Sequence, residues 1–228
     1  MADGLASSTQ LIKNAYLSVS DVNVVVVDWA NAASFNNYIV SAYMADSIAR
    51  KIKDFIQTIT VVMDLNGSNI HMIGHSLGAH VLGRAGKFLK DTNVTVGRIT
   101  GIDPARHFFE WPKYFAGIDK ESAAFVDIIH TSRGAIGYEH SVGHVDFFPN
   151  GGLRQPHCYY LSNILAMTCE HSCGYVYFAE TVLGTNFTAY KCDSYTALQQ
   201  GRCEGHDTQT MGEACSVDAT GNYFITIH

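Results

Sequence analysis

The chain has 228 residues, 47% of them apolar and 16% charged, with a formal charge of −6 at pH 7. That composition supplies one sizeable buried core and excludes intrinsic disorder. It carries no basic stripe, which argues against nucleic-acid binding and against strong attraction to anionic membranes, so any lipid contact has to be apolar.

From Ser7 to Leu17 apolar residues recur at helical spacing behind a Ser/Thr-rich start suited to an N-cap, which predicts a helix. The segment "VNVVVVDWA", residues 22–30, is an almost unbroken β-branched run and predicts a strand buried on both faces. Tyr43 to Ile59 has apolar residues every three or four positions, the pattern of a long helix. The short strand "IHMIG" follows, then a turn around Ser76 and a helix from about Ala79 to Leu89. "VGRITGID" and "AAFVDIIHT" are two further buried strands. Strands alternating with helices imply a mostly parallel, doubly wound α/β sheet. Beyond His130 the sequence turns to loops rich in glycine, aromatics and cysteine, broken by one helical segment near His171 to Leu183. With no internal repeat and no low-complexity linker, residues 1–228 read as a single domain with a decorated C-terminal edge. No run reaches the roughly 18 apolar residues that a membrane span needs.

All six cysteines fall in the last third: Cys158, Cys169, Cys173, Cys192, Cys203 and Cys215. An even number in loop-like sequence predicts an oxidised framework. Three glycosylation sequons, at Asn66, Asn93 and Asn186, point the same way, toward a secreted, extracellular protein. The start "MADGLASSTQ" lacks both the basic region and the apolar stretch of a signal peptide.

The pentapeptide "GHSLG", residues 74–78, is modest evidence by itself, because glycine and serine are common. Its context sharpens it. A strand running into Gly74, a serine at the apex and a helix immediately after form a sharp strand–turn–helix that lifts the Ser76 hydroxyl above the sheet edge, with glycines relieving the crowding. There the backbone N–H of Leu77, at a helix N-terminus, can face the oxyanion that forms during acyl transfer. A serine nucleophile needs a base, and the base needs an orienting carboxylate. In the chain order Ser, acid, His, Asp103 ends a later strand and is followed by a proline, whereas Asp127 lies inside its strand and reads as structural. For the base, chemistry leaves His130, His144 and His171 open; His171 attracts notice because it precedes a helix and is flanked by cysteines that could pin its loop. A zinc site of Cys169, His171 and Cys173 lacks a second cluster at zinc spacing.

The motifs "VVVVDWA", "IGHSLGAHVLGRAGK", "GRITGIDPA", "FVDIIHT", "VGHVDFFPNGG", "QPHC" and "CEHS" occur in an order that resembles the pancreatic lipase family, which includes lipases, secreted phospholipases A1 and catalytically dead yolk-protein relatives. The resemblance spans nearly the whole chain and implies an α/β-hydrolase fold. Carried over by position, it makes Ser76 the nucleophile, Asp103 the acid and His171 the base, with His144 in a structural loop. It also implies that Cys158 and Cys169 close a lid, here only "YYLSNILAMT", and that the loop "SRGAIGYEHS" is abbreviated. Within the family a short lid and a short loop resemble phospholipases A1 more than triglyceride lipases. Leu161, Ile164, Leu165 and Met167 would then dip into a lipid surface or pack over the site.

Two departures from the family pattern stand out. At the family's calcium loop only Asp119 keeps an oxygen ligand of the right kind, and Tyr114 and Gly117 do not supply the side-chain pattern, which leaves calcium doubtful and no cofactor expected. The family's His-Gly-aromatic turn, donor of the second oxyanion N–H, belongs before "MADGLASS", so an N-terminally incomplete chain lacking a sheet strand is expected. The function implied is a secreted serine esterase acting on phospholipid or glyceride esters at a lipid interface; the competing expectations are a non-catalytic lipid-binding or yolk-storage relative and an inactive truncated form.

Overall fold

The computed structural model describes residues 7–30, 38–158 and 163–228. Helices α1 (Ser7–Val19) and α2 (Tyr38–Val62) precede strand β1 (His71–His75), helix α3 (Leu77–Lys90) and strands β2 (Arg98–Ile102) and β3 (Phe125–Ile129). Strand β4 (Val145–Pro149), helix α4 (Asn163–Val182), strand β5 (Phe187–Lys191), helix α5 (Tyr195–Gln199), and strands β6 (Thr208–Met211) and β7 (Gly221–Ile225) complete the order. The strands form one sheet in the order β1-β2-β3-β4-β7-β5-β6. Neighbours from β1 through β4 to β7 run parallel, and β5 and β6 attach antiparallel at the far side. This is the mostly parallel α/β-hydrolase arrangement.

Both faces of the sheet are covered, as a parallel sheet requires. Alternation along each strand sorts the side chains. Met72, Ile99, Val126 and Ile128 face a core with α2 and α3. Ile102, Ile129, Val145 and Phe147 face a second core with α1 and α4. In α2 the buried residues Ala42, Ala45, Ala49, Ile52 and Ile56 recur at helical spacing, and their small members let α2 approach α3 closely. Ile99, Ile128 and Phe147 are fully buried, and burial of such a side chain is worth about 1.5–3 kcal/mol.

Several expectations need correction. The run 22–30 forms no strand: it pairs with no strand among the described residues, and Val22, Val25 and Val27 are exposed. β-branched residues set an extended backbone, but a ladder needs a neighbouring strand as well. The region beyond His130 holds four strands rather than loops, and the helix expected near His171 starts at Asn163. The oxidised framework is partial. Cys158–Cys169 and Cys192–Cys203 are disulfides, whereas Cys173 and Cys215 are free and buried, behaving as small apolar side chains.

Candidate active site

The carboxyl ends of β1, β2 and β3 bring the site together. β1 ends at His75, and Ser76 then adopts φ 58° and ψ −126°, a conformation rarely tolerated outside glycine, before α3 begins at Leu77. The turn is held by the Ser76 N–H, which donates to Ile102 O at 2.9 Å. Gly74 cannot carry a side chain, because a Cβ would lie 2.7 Å from the Gly78 backbone. Leu77 supplies an N–H in the first turn of α3, where amides lack helical partners.

Asp103 follows β2 at φ 42° and is fully buried. Its carboxylate accepts from Thr131 N at 2.8 Å, Ser132 N at 3.0 Å, the Ser132 hydroxyl, and His171 Nδ1 at 2.5 Å. Burial opposes the charge, but the bonds from His171 and Ser132 outweigh it and hold this carboxyl below its ordinary range. Gly137 N donates to the Ser132 hydroxyl at 3.0 Å, and a Cβ on Gly137 would collide with the Asp103 carboxylate. Ser132, Thr131 and Gly137 therefore cradle the acid. No sequence signal singled them out, except that they lie in or beside the short loop after β3.

Of the three candidate bases, only His171 meets Asp103. His130 is bonded through Nε2 to Asp146 at 2.8 Å, and His144 Nδ1 accepts from Val126 N at 3.0 Å. Asp127 is structural, gripped by Arg98 Nε at 2.8 Å and by Thr100 Oγ1 at 2.8 Å. His171 lies within α4, 5% exposed, and its turn touches the Ser76 turn through His75. Among the described residues no hydrogen bond joins the Ser76 hydroxyl to the His171 ring; in ligand-free enzymes this contact often tightens only when substrate binds.

The Cys158–Cys169 disulfide closes a segment whose residues 159–162, Leu161 among them, lie outside the described residues, as does the side chain of Ile164. Leu165 and Met167, at the start of α4, are exposed. The sulfurs of Cys158, Cys169 and Cys173 lie within 4.8 Å of one another, but two of them are already joined and the His171 ring points to Asp103, so the zinc arrangement is not assembled. The asparagines of all three sequons, Asn66, Asn93 and Asn186, are exposed.

The calcium loop holds a different cation. Lys87 Nζ donates to Gly117 O at 3.1 Å and to Asp119 Oδ2 at 2.6 Å, while Asp119 Oδ1 accepts from Glu121 N at 3.0 Å. An ammonium thus already satisfies the carbonyl and the carboxylate that a calcium ion would need, and these residues do not fit the ion. His80 anchors the same loop: it is fully buried, stacked on Phe109 with ring centroids 3.9 Å apart, and bonded to Ala105 O at 2.8 Å and from Ile118 N at 3.2 Å.

A strained serine at a strand–helix turn beside a buried Asp–His pair on a mostly parallel sheet is the arrangement of an α/β hydrolase. The family model for lipases matches residues 2–222, and the chain belongs to the pancreatic lipase family. It is 38% identical over 190 residues to lipase member H of Mus musculus, covering 82% of this chain and 41% of that protein. It is 37% identical over 207 residues to pancreatic lipase-related protein 2 of Rattus norvegicus, covering 81% and 43%. Against pancreatic triacylglycerol lipase of Sus scrofa identity is 33% over 217 residues, covering 86% and 47%. The chain thus spans less than half the length of these relatives.

Proposed function

We propose that this chain is a secreted serine esterase that hydrolyses fatty acyl esters, with phospholipids favoured over triglycerides. The observation that carries the reading is the 2.5 Å contact between His171 Nδ1 and the buried Asp103 carboxylate, next to Ile102, whose carbonyl holds the N–H of the strained Ser76. In this reading His171 Nε2 takes the Ser76 proton as Oγ attacks the ester carbonyl carbon. Asp103 holds the ring in the tautomer that leaves Nε2 free to accept, and stabilises the imidazolium. The Leu77 N–H receives the developing oxyanion. His171 then protonates the departing alcohol, an acyl group stays on Ser76, and water attacks by the same route in reverse to release the fatty acid.

The preference for phospholipids rests on the small number of residues between Cys158 and Cys169 and in the loop 132–141, a brevity that resembles the phospholipases A1 of the family. Exposed Leu165 and Met167 suit contact with a lipid surface. No helix among the described residues is long and apolar enough to cross a membrane. The two disulfides and the exposed sequon asparagines support secretion and glycosylation. With Lys87 supplying the positive charge at Gly117 and Asp119, the proposed chemistry calls on no calcium.

A fluorophosphonate probe tests the reading. It should label the folded chain and fail on Ser76→Ala, and fatty acid should be released faster from phosphatidylcholine than from triolein. A folded chain that takes no label leaves the non-catalytic lipid-binding reading in its place, and faster release from triolein overturns the substrate preference.

A further inference from the structure

His75, the last residue of β1, has no part in the chemistry proposed above, yet it is in direct contact with His171. Its Nε2 lies 2.8 Å from the main-chain carbonyl of His171, and its ring centroid lies 4.4 Å from that of the His171 ring. Tyr175, one turn further along α4, meets the His75 ring edge-on at 5.3 Å. A carbonyl can only accept, so Nε2 carries the proton and Nδ1 is left with a bare lone pair. That Nδ1 is buried and has no partner among the described residues. A phenylalanine would fill the same space without the penalty of an unpaired acceptor, so the group gained by having histidine here is the Nε2–H donor. Burial, reinforced by the neighbouring His171 charge, pushes the His75 pKa down to about 3 and keeps this ring neutral.

We infer that His75 is a positioning residue, which ties the main chain of His171 to the nucleophile turn and so fixes where the catalytic imidazole hangs. The inference rests on the esterase reading for its kinetic consequences but not for its geometry. Because the clamp is made by an uncharged ring, it does not repel His171 when that side chain becomes an imidazolium. Because it grips a carbonyl inside α4, it fixes helix and turn against each other at the one point where base and nucleophile must meet.

Two variants of the full chain test this, His75→Phe, which keeps the ring volume and loses the donor, and His75→Gln, whose amide N–H can reach the carbonyl. The first readout is the nitrogen chemical shifts of the His171 ring, which report its tautomer and its bond to Asp103 whether or not the chain is active. The second is kcat and KM on a soluble p-nitrophenyl ester. We expect His75→Phe to move the His171 shifts and to lower kcat about tenfold to a hundredfold with KM nearly unchanged, as for a misplaced catalytic group. His75→Gln should restore both. Unchanged ring shifts in His75→Phe overturn the inference, as does a folded His75→Gln that shares the His75→Phe shifts. If wild type and Ser76→Ala are equally inert, the esterase reading fails by itself, and the ring shifts alone still decide the role of His75.

Discussion

Asp103 keeps its negative charge out of contact with solvent because four donors converge on it, two from the backbone of residues 131 and 132, one from the Ser132 hydroxyl and one from His171. Replacing it by asparagine keeps the volume and removes the charge, so the ring loses both its tautomer and its partner when protonated. We expect Asp103→Asn to retain the fold and lower kcat by about four orders of magnitude in an ester-hydrolysis assay; a loss of only a few fold would mean that this carboxylate does not serve the base. The aspartate and the histidine could be nominated from the sequence because strand ends and motif order advertise them. Ser132 and Gly137 could not. They sit in a loop with other small and polar residues, and only the folded path reveals that one hydroxyl turns inward and that one position must lack a Cβ. The same holds for His75 and His80, which stand in one short stretch with Ser76 and whose partners lie 25 or more positions away in the chain.

Among the elements, α3 does more than follow the Ser76 turn. Its Lys87 reaches across to the loop before β3 and cross-links it through Gly117 and Asp119. The pair is partly exposed, so its worth is about 1 kcal/mol, and Lys87→Met should lower Tm by about 2–4 °C. Calcium or a chelator should leave the wild-type Tm unchanged; a rise on adding calcium would show that the loop binds the ion despite the ammonium. Elements with periodic apolar patterns were legible in the sequence. β1, β2, β3 and the long helix α2 stand near where their patterns put them, although α2 extends beyond the expected span at both ends. The run 22–30 misled because residue type speaks for an extended backbone but says nothing of a neighbour to bond with. β4, β5, β6 and β7 were hidden for the opposite reason. They are four or five residues long, set among glycines and cysteines, and gain their identity from pairing with distant strands such as β4 with β7.

For the molecule as a whole, the buried histidines set an acid limit. His80 is fully buried and, chiefly because of that burial, its pKa falls to about 3; His75 falls to about 3 as well. In the unfolded chain both would take up a proton near pH 6.5. The stability they allow is therefore complete above that pH and is lost as the pH falls from 6.5 toward 3, at about 1.4 kcal/mol per pH unit for each ring. Denaturant midpoints measured between pH 8 and 4 should decline below about 6.5, and His80→Asn should flatten the decline; a midpoint that stays level to pH 4 would refute the account.

The fastenings around the candidate active site are made largely of main chain. His75 grips the carbonyl of His171 rather than its ring, the Ser76 turn is tied by its own amide, and two of the donors to Asp103 are amides. Exchanging the Ser76 hydroxyl or the His171 imidazole for something inert would silence the proposed reaction and leave these ties in place. Shape and chemistry are thus separable here: a chain that had given up catalysis could keep the same scaffold intact for another use.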